Sequence, residues 1–240
     1  MKMAFVALIG VALLILGGIE GVRVVRLLHE SQRLVAANEA FEVHPSRPSM
    51  RVLVVGDSLA AGVGAADPAD SLAGRIAHML PGAEVVNEGV SGARINEVKD
   101  ALRNAPEGSY DFIFITAGAN NILHLASLDE AQTQMDALLK EAKTRGRYVV
   151  LLTCGNMGLA PIFPPGVSAF YSHRASEALQ RFAMVADQND VAFIDLYYEE
   201  DNDPFAKDEE RYYAADKFHP SGAGYGIWYE QIVEVLQRDE

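Results

Sequence analysis

Two short segments at opposite ends of the chain carry residue types suited to one reaction. Gly56-Asp57-Ser58-Leu59 ends an apolar run and opens a helical pattern, and Asp216-Lys217-Phe218-His219 lies near the carboxyl terminus. A serine at a tight strand-to-helix turn is exposed, and the backbone N–H groups of the following turn face developing negative charge. An aspartate three residues before a histidine reaches the ring Nδ1 within one turn. That fixes the tautomer and leaves Nε2 to take a proton from a hydroxyl. Each segment has a plainer reading as well. Asp and Ser are ordinary helix N-caps, and Ala60 departs from the G-x-S-x-G nucleophile elbow.

Two further segments supply hydrogen-bond donors. Asn87-Glu88-Gly89-Val90-Ser91-Gly92 and Gly118-Ala119-Asn120-Asn121 each follow an apolar run. A Gly backbone N–H and an Asn amide are suitable donors for an oxyanion, although Gly and Asn also dominate ordinary turns. Their occurrence at two successive strand ends is the informative part. The remaining histidines, His29, His44, His78, His124 and His173, lack an acidic partner at comparable spacing and read as surface or packing residues.

The elements that must position these residues follow from periodicity. Apolar runs at 51–55, 83–86, 112–116, 148–152 and 191–196 predict five strands, mostly continuous and not alternating, as in a parallel sheet covered on both faces. Helical patterns at 69–80, 94–104, 128–145, 168–188 and 221–237 lie between and after them, with Ser127-x-x-Glu130 as a capping box. Alternation of strand and helix predicts an α/β class, three-layer α/β/α sandwich with a five-stranded parallel sheet. In such sheets ligands bind beyond the carboxyl ends of the strands, where all four segments fall.

Taken together, in order and spacing, the four segments resemble the GDSL, or SGNH, hydrolase family over roughly residues 50 to 235. The resemblance implies a flavodoxin-like sheet and a serine esterase or lipase-like acyl hydrolase. It implies Ser58 as nucleophile, His219 as base and Asp216 as its partner. The oxyanion donors would be the N–H groups of Ser58 and Gly92 and the side chain of Asn120. Asn121 stands where the family carries Asp, which implies weaker bracing of that loop without loss of activity. No cofactor and no metal are implied; the substrate is a small-molecule or lipid ester. Two alternatives stay open: an acyltransferase of the same fold, passing the acyl group to a sugar or lipid, and a membrane-tethered binding module without catalysis. A flavodoxin-like cofactor binder lacks the required Gly-rich phosphate loop.

Composition narrows the partners. The 240 residues carry 20 basic and 33 acidic side chains, a net −13, which opposes nucleic acid as a partner. Residues 1–45 hold four of each sign, so 16 basic and 29 acidic side chains fall on the rest. One cysteine, Cys154, excludes an intramolecular disulfide and reads as packing at a strand end. The acidic stretch Glu199 to Glu210 reads as a solvated loop, because Pro204 and Phe205 break any calcium-loop pattern. Gly155 to Pro165 reads either as a border of the substrate pocket or as a rigid packed loop.

The amino terminus is different. Met3 to Ile19 is a run of 17 residues without charge, matching the ~17–25 a membrane-crossing helix needs. Residues 1–21 are therefore expected to anchor the chain, with a cleaved signal as the competing reading. Residues 22–48 are expected to form an amphipathic helix or linker, and 49–240 the hydrolase domain. Lys2 on one side and Arg23, Arg26 and Arg33 on the other leave the orientation, and the side facing the domain, unresolved.

Overall fold

A computed structural model describes residues 2–164 and 166–238; the side chains of residues 2–16 and 238 lie outside the described set. The five strands are β1 (Arg51–Gly56), β2 (Glu84–Gly89), β3 (Tyr110–Thr116), β4 (Gly146–Leu152) and β5 (Ala192–Ile194). They form one parallel sheet in the order β2-β1-β3-β4-β5. In β1, Val52, Leu53, Val54 and Val55 are all fully buried, although successive side chains point to opposite faces. Both faces must therefore be covered, and burial of each such side chain is worth about 1.5–3 kcal/mol.

Among the described residues ten α-helices accompany the sheet: α1 (Lys2–Ala37), α2 (Ser58–Ala61), α3 (Leu72–Met79), α4 (Ile95–Asn104), α5 (Ala119–Leu123), α6 (Leu128–Arg145), α7 (Ser168–Gln188), α8 (Pro204–Lys207), α9 (Glu209–Tyr212) and α10 (Gly222–Arg238). The long ones bury an apolar stripe. In α4 it is Ile95, Val98 and Leu102, and in α6 Leu128, Ala131, Met135, Leu138, Leu139 and Ala142. The box at the start of α6 is half made. Ser127 Oγ accepts from the Glu130 N–H at 3.4 Å, but the Glu130 carboxylate turns away and accepts from Gln134 Nε2 at 2.8 Å.

Helix α1 runs unbroken to Ala37, after which the chain lies extended and Val43 bridges Val85 of β2. Half-buried positions on α1 fall at 20, 23, 24, 27, 30, 31 and 34, a helical stripe turned to the domain. The apolar run Met3–Ile19 lies almost wholly on residues 2–16, outside the described side chains. Among the described residues no helix is long and apolar enough to cross a membrane.

Candidate active site

The turn that carries Ser58 is built by three strands. β1 ends at Gly56, paired with Gly89 of β2 on one side and Thr116 of β3 on the other. A Cβ on Gly56 would sit 2.2 Å from Thr116 Oγ1, so no other residue fits. That hydroxyl donates to Asp57 Oδ1 at 3.1 Å and accepts from the Ala60 N–H at 3.1 Å. Asp57 Oδ1 also accepts from the Leu59 N–H at 3.0 Å, capping α2. From the other side, Asn87 Nδ2 donates to the Ala60 carbonyl at 2.9 Å. Ser58, in the first turn of α2, is held on a frame with little freedom.

Asp57 itself is 1% exposed, and its Oδ2 has no hydrogen-bond partner among the described residues. Burial pushes its carboxyl up from 3.8 to about 6, against the opposing bonds from Leu59 and Thr116. A raised carboxylate binds its proton more tightly in the fold than in the unfolded chain, so stability falls as pH rises from about 4 to about 6. An Asp57→Asn variant keeps the Oδ1 acceptor and removes the buried charge. It is expected to be more stable than the parent by about 1–3 kcal/mol at pH 7, the gap closing toward pH 4. Denaturant titrations at several pH values check this; parallel curves for the two proteins would refute it.

The loop after α9 brings the second half of the site. Lys217 adopts a left-handed backbone (φ +56). The turn lets Asp216 Oδ1 accept from the N–H groups of both Phe218 and His219, each at 3.0 Å. Asp216 Oδ2 lies 2.5 Å from His219 Nδ1, and His219 Nε2 lies 2.9 Å from Ser58 Oγ. Asp216 is fully buried and His219 nearly so. Burial alone would raise the Asp216 carboxyl, but the bonds from His219 and Phe218 outweigh it and hold it below the usual carboxylate range. An ionised carboxylate only accepts, so Nδ1 carries the proton and Nε2 faces the serine as acceptor.

Asn120 lines the same cavity as Ser58 and His219 and is tied to the loop that holds Gly92. Gly92 has φ +85 and open space where a Cβ would stand. Asn120, in α5, donates from Nδ2 to the carbonyl of Ala93 at 3.1 Å, tying its amide to the Gly92 loop. The neighbouring Asn121 is buried and braces the loop where weaker bracing was expected. Its Oδ1 accepts from the Ile95 N–H at 3.0 Å, as a carboxylate would, and its Nδ2 donates to Gln134 Oε1 at 3.3 Å, which a carboxylate could not do. His124 Nδ1 lies 2.9 Å from the Asn120 carbonyl, a contact its sequence context did not signal.

A narrow cavity of about 70 Å³ opens at Ser58, Asn120 and His219. Its walls are mainly apolar: Leu59, Leu123, Cys154, Met157, Leu196, Phe205, Phe218 and Trp228. Of the Gly155–Pro165 loop, Gly155, Asn156, Met157 and Ala160 border the cavity, whereas Ile162 packs in the core. Burial pushes the Cys154 thiol up to about 12, which makes it an inert wall residue. The acidic stretch corrects the expectation of a solvated loop. Asp203 is 4% exposed, caps α8 by accepting from the Phe205 N–H at 2.7 Å, and lines the cavity together with Phe205. The signal was present in Asp203-Pro204, an N-cap followed by proline at the first helical position.

A parallel sheet in this order, with a serine, histidine and aspartate hydrogen-bonded in line at its carboxyl edge beside an apolar cavity, defines an α/β enzyme of the serine esterase class. The sequence model of the GDSL-like lipase/acylhydrolase family matches residues 54–227, and the chain belongs to that family. Solved structures share the fold. A lipolytic G-D-S-L protein from Veillonella parvula is 19% identical with a TM-score of 0.62, covering 79% of this chain and 100% of its own. A catalytic variant of an acetylxylan esterase from Geobacillus stearothermophilus is 18% identical with a TM-score of 0.59, covering 79% and 94%. The esterase EstA from a Pseudoalteromonas species, inhibited by monoethylphosphonate, is 18% identical with a TM-score of 0.57, covering 79% and 98%. No curated protein matches the sequence.

Proposed function

We propose that this chain hydrolyses carboxylic esters of short acyl groups through an acyl-serine intermediate. The observation that carries the reading is the unbroken Ser58–His219–Asp216 hydrogen-bond chain at the mouth of a small apolar cavity. His219 Nε2 takes the Ser58 proton as Oγ bonds to the ester carbonyl carbon, and the carbonyl electron pair moves onto oxygen. The N–H groups of Ser58 and Gly92 and the Asn120 amide hold that oxyanion; one such donor is worth about 2.7–4 kcal/mol. Collapse breaks the bond to the alcohol, which leaves with the proton from His219. Water then gives a proton to His219, attacks the acyl carbon and releases the acid, and Ser58 regains its proton.

The cavity sets the acyl length. At about 70 Å³ the cavity is small beside the roughly 300–1,000 Å³ of typical ligand pockets, which favours a short acyl chain over a fatty one. The related acetylxylan esterase, by its description, acts on an acetyl ester. With p-nitrophenyl esters from acetate to hexadecanoate, kcat/KM is expected to peak at acetate to butyrate and fall steeply beyond hexanoate. A maximum at long chains would overturn the size argument.

The 17-residue uncharged run Met3 to Ile19 supports a second part of the proposal, that the amino terminus anchors the enzyme in a membrane. The full chain is expected to float with phosphatidylcholine vesicles in a density gradient; protein left in the soluble fraction excludes the anchor.

A further inference from the structure

An aromatic ladder leads from the site to the surface. The Phe218 ring stands edge-on to His219 (5.2 Å between centroids) and to Phe163 (6.1 Å). Phe163 stacks on Tyr171 at 4.6 Å, and Tyr171 meets Phe170 edge-on at 5.2 Å. At the outer end Phe170 is 51% exposed. The neighbouring strand-end loops each add an uncovered apolar side chain, Val90 after β2 and Leu125 after β3. Scattered apolar residues on a surface are ordinary, but these three stand on segments that follow β2, β3 and β4, at the carboxyl edge of the sheet.

Helix α1 lies against the same edge. Arg23 donates to the Pro161 carbonyl at 2.5 Å, in the loop after β4, and Asn38 Nδ2 donates to the Ala61 carbonyl at 2.9 Å, just beyond Ser58. With its domain-facing stripe so used, α1 turns Ile19, Val22, Val25 and Leu28 outward, each 48% to 61% exposed. Toward the amino terminus the chain continues into the uncharged run of residues 3–19. The exposed apolar stripe of α1 and the anchor segment thus continue one another along one helix, tied to this sheet edge through Arg23 and Asn38.

We propose that this edge docks on a lipid bilayer, so that the enzyme draws esters from the membrane surface into its site. The inference rests on the esterase and anchor readings above. The bilayer is zwitterionic, because 29 acidic against 16 basic side chains in residues 46–240 would be repelled by an anionic one. Docking leaves the cavity mouth at the headgroup level, where the acyl group of a surface-borne ester reaches Ser58 without leaving the interface.

The test uses the full chain with Phe170→Cys labelled by an environment-sensitive maleimide dye; Cys154, buried, does not compete. Met184→Cys, equally exposed but at the far end of α7, is the control. On adding phosphatidylcholine vesicles, emission from position 170 is expected to shift to the blue and to be quenched by nitroxide lipids, while position 184 stays unchanged. No shift at 170, or equal shifts at both positions, overturns the docking. So does a shift that grows with protein concentration in the absence of vesicles, which would assign the face to a second copy of the chain. The readout needs no turnover, so loss of the esterase reading would show separately, as inactivity toward every ester. Flotation without a shift at 170 would leave the anchor and remove only the docked face.

Discussion

Replacing Ser58 with alanine is expected to lower kcat/KM toward p-nitrophenyl acetate by about 10⁴-fold or more while leaving the fold intact. Among the described residues the hydroxyl is tied to His219 Nε2 alone, at 2.9 Å, and the half-buried side chain stands outside the hydrophobic core. The backbone N–H of residue 58 survives the substitution, as do Gly92 and Asn120, so oxyanion stabilisation persists and sets a small residual rate. A phosphonate ester gives a second readout. Intact mass is expected to show one stable adduct on the parent protein and none on Ser58→Ala. Turnover close to that of the parent in a folded variant would exclude Ser58 as the nucleophile, whatever the family membership.

Asp216→Asn is expected to cost a comparable factor, about 10⁴, for a different reason. The amide keeps an oxygen for the N–H groups of Phe218 and His219, so the left-handed turn at Lys217 is preserved. Its NH₂, however, now faces His219 Nδ1. The ring must accept there, which moves its proton to Nε2 and points a donor at Ser58. The base is lost without any change of shape. Nitrogen chemical shifts of His219 report the tautomer directly, and an unchanged tautomer with parental kcat/KM would refute the assignment. The pH dependence has the opposite sign to that of Asp57. The Asp216 carboxyl lies below its ordinary value, so the hydrogen bonds it accepts from His219 and Phe218 contribute in full above the unfolded value, and that contribution is lost as pH falls through the folded one. The parent should therefore lose more stability on acidification in that range than Asp216→Asn does.

Much of this was legible in the chain before folding. The α6 and α7 patterns, at 128–145 and 168–188, coincide with the helices formed, and the five apolar runs became the five strands. Of the residues read from motif order, Ser58, His219 and Asp216 form one hydrogen-bonded chain, Asn120 lines the same cavity, and Gly92 lies one residue before the Ala93 carbonyl that Asn120 holds. Other readings failed where the outcome depended on a distant partner. Asn121 looked like a weakened brace, yet Gln134 supplies the acceptor that gives its amide a second bond. Asp203 and Phe205 looked solvated because their neighbours are acidic, yet α8 turns them inward against Trp228, whose ring lies 5.7 Å from that of Phe205.

The division follows from the range of the interactions. Strand runs, helix stripes and caps are written within a few residues, since a pleat repeats every two positions and a helix every 3.6, and a cap reaches three. These were readable in the amino-acid order, and with them the fold class and the segments that hold the hydrogen-bonded Ser58, His219 and Asp216. The cavity walls come from Leu59, Leu123, Met157, Leu196, Phe205 and Trp228, six segments with no local relation to one another. Only the strand order, which gathers those loops at one edge, decides that they meet. The cavity's size belongs to the tertiary structure alone, because van der Waals exclusion acts between neighbours in space whatever their separation along the chain.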